Sequence, residues 1–167
     1  MKLTNKLKFV LFSVMCAASY SAVARDKTES GRDSASQEIR ALFKSQDEAN
    51  WSGATPEQLA HRFYTEDAII IGEGETKTER GMKDAITALV NWNAYLGPGG
   101  NKACHFEVLD PIIASGDMAS VFATLSCKAN PPKREKPEAI RQLFVLKRTA
   151  QGWRVAQEMW QMGTMEH

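Results

Sequence analysis

The sequence predicts an α+β domain in which a curled antiparallel sheet carries helices on one face. Three observations predict it. Apolar residues recur at helical spacing three times in the first half of the chain. Two long strand pairs, each broken by a glycine turn, occupy the second half. Between the pairs lies 130–137, a polar loop with three prolines. Helices followed by a meander place the helices together on one side of a single sheet.

Before the domain comes a segment of different character. Lys2, Lys6 and Lys8 precede an apolar run from Phe9 to Tyr20, and Ala22-Val23-Ala24 supplies small residues where a signal peptidase reads. A positive end, a short apolar centre and A-x-A is the layout of a secretory signal. The run is well short of the ~20 residues needed to span a bilayer. Residues 1–24 are therefore expected to be a cleaved signal peptide, 25–35 a polar tether, 36–163 the domain and 164–167 a tail. Cleavage after Ala24 removes three lysines and no acid, taking the net charge from +1 to −2. No basic field remains for nucleic acid or an anionic membrane. Cys16 leaves with the signal, and Cys104 and Cys127 stay, an even number in an exported chain.

Within the domain, Ile39, Leu42, Phe43 and Gln46 fall on one stripe of a first helix, about 36–50, which Ser52-Gly53-Ala54 ends. Thr55 caps a second helix, Pro56 fills its first turn and Gln58 completes a capping box. Leu59, Ala60 and Phe63 face inward before it ends near Tyr64. Ala68-Ile69-Ile70-Ile71 is a short strand closed by Gly72 and Gly74. Gly81 precedes a third helix, about 82–93, with Ala85, Ile86, Leu89 and Val90 as its stripe. Gly97-Pro98-Gly99-Gly100 cannot continue it and reads as a mobile loop.

The remaining strands are 102–114 and 118–129, then 138–149 and 153–162. A Ser115-Gly116 turn pairs residues whose numbers sum to 231. Cys104 then faces Cys127, Phe106 faces Leu125 and Val108 faces Ala123, giving one apolar side. His105, Glu107, Thr124 and Ser126 fall on the other. This register and the compartment predict a Cys104–Cys127 disulfide, unless a bulge moves one sulfur to the opposite side.

The order helix, helix, short strand, helix, long meander resembles the superfamily of SnoaL-like polyketide cyclases, ketosteroid isomerases and nuclear transport factor 2. Three stretches carry the likeness: Asp47–Trp51 with Pro56–Ile71, Arg80–Ile86, and Gln151-Gly152-Trp153-Arg154-Val155. They span about 36–163. The resemblance implies a strongly curved, cone-like sheet with three N-terminal helices on its concave face, a pocket inside, and homodimers through the outer face. It implies no single activity, because the fold hosts enzymes, binders and interaction domains.

Histidines number three, and no HxH, HExxH or CxxC spacing occurs, so neither a metal nor a cofactor is expected. His61 and His105 read as structural. No G-x-S-x-G marks a nucleophile. Lys133-Arg134-Glu135-Lys136 mixes signs and reads as a solvated hairpin tip. Isomerases and cyclases of the resembled fold shuttle protons through a pocket carboxyl. Glu158 shares a period-two face with Ala156, Trp160 and Met162, although alternation does not say which face is inside. Asp67 matches the resembled aspartate before the first strand; a backbone cap suits it as well as catalysis. Tyr64 is placed to donate a hydrogen bond into the pocket. Trp51, Trp92, Tyr95 and Trp160 are candidate ligand contacts, and Trp153 is core. The expected function is a periplasmic protein that binds a small, largely apolar molecule. The alternatives are a proton-shuttling isomerase or cyclase, and an interaction domain with a vestigial pocket.

Overall fold

The computed structural model describes residues 31, 33–74, 76–132, 138–163 and 165. The expected signal peptide, Lys133-Arg134-Glu135-Lys136 and His167 lie outside them. The chain divides into two units, Met1–Ala35 and Ser36–His167. The described residues of the first are helical, within the stretch read as a tether. The sheet and the helices packed on it belong to the second unit.

Helix α1 takes residues 36–52. Helix α2 (Pro56–Phe63) begins on the predicted box: Thr55 Oγ1 accepts from the Gln58 N–H at 3.2 Å, and Gln58 Oε1 accepts from the Thr55 N–H at 2.9 Å. Tyr64 is already extended, so strand β1 (Tyr64–Gly72) starts directly on the helix end. Strand β2 (Glu79–Arg80) leads into α3 (Gly81–Leu96). A 3₁₀ turn (Gly100–Ala103) precedes β3 (His105–Val108), β4 (Ile113–Ser115), β5 (Met118–Cys127), β6 (Glu138–Thr149) and β7 (Gly152–Met162).

These strands make one curved, unclosed sheet ordered β2-β1-β7-β6-β5-β3, with β4 also on β5. It is not wholly antiparallel: β1 runs parallel to β7. The long path from β1 through α3 and the meander lets the last strand return in the direction of the first.

Two further departures come from backbone chemistry. The expected strand 102–114 is interrupted between Val108 and Ile113. Pro111 has no N–H for a ladder, and Arg40 holds this break by donating to Val108 O at 3.2 Å and Asp110 Oδ1 at 2.6 Å. The turn lies at Gly116-Asp117, so β4 pairs with sum 233 (Ile113↔Ser120). Beyond the break β3 pairs with sum 231 (Phe106↔Leu125). Two extra residues in the break offset the later turn, so the expected register holds for the cysteines by two compensating errors.

The Gly97–Gly100 segment is a held turn, not a mobile loop. Asn130 N–H donates to Leu96 O at 2.6 Å and its side chain to Pro98 O at 3.0 Å. Gly97 sits at φ +79°, where a Cβ would come within 1.9 Å of Asn130 O. Glycine is required there both by conformation and by space.

Inside the curve, Phe43, Phe63 and Phe144 pack edge to face at 5.1 to 5.7 Å. Cys104 and Cys127 are bonded across β3 and β5, 23 residues apart in sequence. Closing a loop of that size restricts the unfolded chain and is worth about 3 kcal/mol. A Cys104→Ser, Cys127→Ser double variant should lose that amount in urea unfolding. An unchanged midpoint would show that the bond does not form in solution.

Candidate functional site

Packing leaves a cavity of about 590 Å³ between α1, α2, α3 and the inner side of the sheet. Leu59 and Phe63 of α2 reach it, with Leu89, Trp92 and Tyr95 of α3 and Ile70, Ile140, Trp160 and Met162 of the sheet. Trp92 and Tyr95 stack with centroids 5.2 Å apart, and the Tyr95 hydroxyl donates to Glu138 at 2.9 Å. The face of α3 bearing Leu89 and Trp92 meets this void, which leaves Val90, expected inward, 47% exposed.

Glu158 is the charged side chain buried in this wall, 5% exposed. One carboxyl oxygen accepts from the Tyr64 hydroxyl and the other from Gln142 Nε2, the latter at 2.6 Å. Burial raises its pKa above the ordinary 4.5; the two hydrogen bonds oppose that, and Glu79 adds to it. Tyr64 is pushed well above its usual range by the same burial and by Glu158, so it stays a donor.

Its inward placement depends on a bulge. In β7, Val155 pairs with Leu146 and Gln157 with Val145, leaving Ala156 as an extra residue. Counting by two across the bulge gave Ala156 as a neighbour of Glu158; Val155, fully buried, takes that side instead. Beyond the bulge, Glu158, Trp160 and Met162 all line the cavity.

Of the other candidates, Tyr64, Trp92, Tyr95 and Trp160 are also brought to the cavity, and Cys104 lies in its wall. Trp51 and Asp67 are not. Trp51 is 51% exposed and its indole N–H donates to Cys104 O at 2.7 Å, tying the end of α1 to the start of β3. Asp67 is exposed because β1 bulges between Tyr64 and Ile69, carrying it away from the interior. Among the described residues no cluster of His, Cys, Asp or Glu could hold a metal ion.

Two wall residues and one clamp went unread. Gln142 interrupts an inward apolar series in β6, Ile140, Phe144 and Leu146, which was a visible signal. Gln46 breaks the stripe of α1 in the same way. Asp47 left none: buried in α1, it accepts the Phe106 N–H with both oxygens at 3.1 Å. Desolvation outweighs that bond, and its pKa rises from 3.8 to about 6.

No family profile and no curated protein matches the chain. Solved structures do. A nuclear transport factor 2-like protein from Pseudomonas putida is 18% identical at a TM-score of 0.61, covering 81% of this chain and 91% of that one. A nuclear transport factor 2-like protein with a cystatin-like fold from Novosphingobium aromaticivorans is 17% identical at 0.60, covering 87% and 90%. A ketosteroid isomerase-like protein from Erwinia carotovora atroseptica is 17% identical at 0.50, covering 75% and 96%. The chain therefore has the nuclear transport factor 2-like fold; likeness at these identities assigns no activity.

The raised pKa of Glu158 has a consequence for stability. The folded state holds this proton more tightly than the unfolded chain, so stability is gained as pH falls through the folded value and is fully present below 4.5. Thermal melts from neutral pH downward should show wild type gaining on Glu158→Gln as acid is added. A constant offset between the two would mean that Glu158 is not desolvated.

Proposed function

We propose that this protein is exported to the periplasm and there binds one small, largely apolar molecule in the cavity. The cavity itself carries the reading. Protein interiors pack to nearly crystalline density, so a void of about 590 Å³ is not a packing defect. It falls within the volumes that hold small ligands, and its wall is mostly apolar with a few polar groups, as such sites require. Export is supported by the layout of residues 1–24 and by a disulfide suited to an oxidising compartment. Native mass spectrometry of protein released from the periplasm should show a chain beginning at Arg25 with a retained small molecule. Intact chain in the cytoplasm would overturn the export reading. Failure of the purified protein to bind apolar fluorophores such as N-phenyl-1-naphthylamine would overturn the binding reading.

The same proposal includes a homodimer. Phe122, Leu143, Met159 and Ile71 are successive cross-strand partners on β5, β6, β7 and β1. They form one apolar row on the outer face, with Phe122, Met159 and Ile71 all more than 40% exposed. A row of that length on a sheet face is unfavourable in water and suits a second copy. Light scattering should give twice the chain mass for wild type and a monomer for a Phe122→Glu, Met159→Lys variant; wild-type monomer would sink the dimer.

One observation favours a second reading. Glu158, held by Tyr64 and raised in pKa, is equipped to take a proton from a carbon beside a carbonyl and return it to another carbon of the same molecule. A solved neighbour is described as ketosteroid isomerase-like. Under this reading Glu158→Gln should slow conversion of β,γ-unsaturated cyclic ketones to conjugated ketones by at least about a hundredfold, with fluorophore affinity kept. Equal rates for wild type and variant would exclude it.

A further inference from the structure

The wall of the cavity is one-sided in charge. Its ionisable acids are Glu73, Glu79 and Glu158, and no Lys, Arg or His is found among the described residues that line it. Six aromatic rings share the wall: Phe63, Tyr64, Trp92, Tyr95, Phe106 and Trp160. Ring faces carry negative potential and attract cations, more strongly where water is excluded.

The uncharged polar side chains of the wall include Gln46, Gln142, Asn50, Asn91 and Asn93. Gln46 and Gln142 are 4% and 6% exposed. Each commits its amide nitrogen, Gln46 to Leu59 O at 3.3 Å and Gln142 to Glu158 Oε1 at 2.6 Å. Each then has an Oε1 with no hydrogen-bond partner among the described residues. A buried acceptor without a donor is costly, and native proteins retain few of them. Two unpaired acceptors and the unpaired Trp92 indole N–H are thus buried within the wall, behind its open surface.

We propose, resting on the binding reading, that the ligand is an apolar protonated amine whose ammonium meets the Glu158 carboxyl and whose carbon body lies against the aromatic rings. An anion would enter a space that holds three carboxyl groups and, among the described lining residues, no Lys, Arg or His to pair with it. A neutral alcohol brings one donor and gains nothing from the carboxyl charge. An ammonium brings up to three donors and a charge opposite to the wall.

The arrangement around Glu158 fits that occupant. It faces Tyr64 on β1, Gln142 on β6 and Glu79 on β2, none of them cationic. Its affinity for a proton is raised by burial and by Glu79, against the two hydrogen bonds from Tyr64 and Gln142 that favour the carboxylate. A bound ammonium favours the carboxylate too. Where the free carboxyl holds a proton, binding of the amine displaces it, a change that a neutral ligand of the same shape does not cause.

Three probes of one shape test this on the mature protein: 1-naphthylmethylamine, 1-naphthylmethanol and 1-naphthoate, each titrated by calorimetry near neutral pH. The amine should bind at least about tenfold tighter than the alcohol, and naphthoate weakest. Repeated at falling pH, through the range where the free carboxyl takes up its proton, titrations in two buffers of different ionisation heat should show proton release with the amine and none with the alcohol. The advantage of the amine over the alcohol should shrink as pH is lowered and the carboxyl protonates, and Glu158→Gln should abolish that advantage. Alcohol or naphthoate binding as tightly as the amine would overturn the amine inference and leave the binding reading intact. Binding of none of the three would overturn both. If Glu158→Gln does not fold, the wild-type pH series decides alone: an advantage that does not change with pH overturns the inference.

Discussion

The parallel pairing of β1 with β7 joins the helical half of the chain to the far end of the meander, and the cavity depends on it. Tyr64 pairs with Val155 and Ile70 with Glu158, in a register broken between them by a bulge on each strand. Because β1 starts directly at the end of α2, this pairing carries Tyr64 to the buried Glu158 in the cavity wall. The same pairing sets how far the sheet curls, since β1 and β2 extend it past β7. Three helices do not fill a sheet bent in this way, and the space left over is the site.

A second set of contacts fixes the opposite wall. The end of α1 grips β3 twice, through Asp47 on the Phe106 amide and Trp51 on the Cys104 carbonyl. The disulfide ties the same point of β3 to β5. Leu96, at the end of α3, packs with both cysteines, Leu125 and Ile140, and Trp92, Tyr95 and Trp160 lie against that cluster. The aromatic side of the cavity is thus mounted on the most cross-linked part of the sheet. A binding wall held this way loses little conformational freedom when a ligand arrives.

Most of the fold was legible because its signals are local. The capping box at Thr55, the glycine turns and the two hairpins each depend on a few neighbouring residues. What escaped depends on register. A bulge at Ala156 and another in β1 change which side chains face inward, and neither leaves a compositional mark; Asp67 was misjudged for that reason. The parallel β1–β7 pair escaped because strand direction is decided by the whole path between the strands. For the site, alternation put Glu158 and Trp160 on one face of the last strand without saying which face is inside, and Gln142 was readable by the same rule. Trp51 looked like a pocket residue because an indole serves a binding wall and a backbone clamp equally well.

The polar misfits of this molecule carry the last step. Local rules are obeyed in much of the fold: α2 has its capping box, turns have their glycines, and the phenylalanine core packs edge to face. Along the cavity they are broken. A carboxyl is buried at a cost in desolvation, two amide oxygens and an indole lack partners, and the space between them is not filled. A leucine or methionine at 158 would give a folded chain without that cost. Sequences that are otherwise consistent retain such groups where something other than stability selects them. The carboxyl and the void share a complementary partner, an apolar body bearing hydrogen-bond donors, and one such molecule would relieve both together.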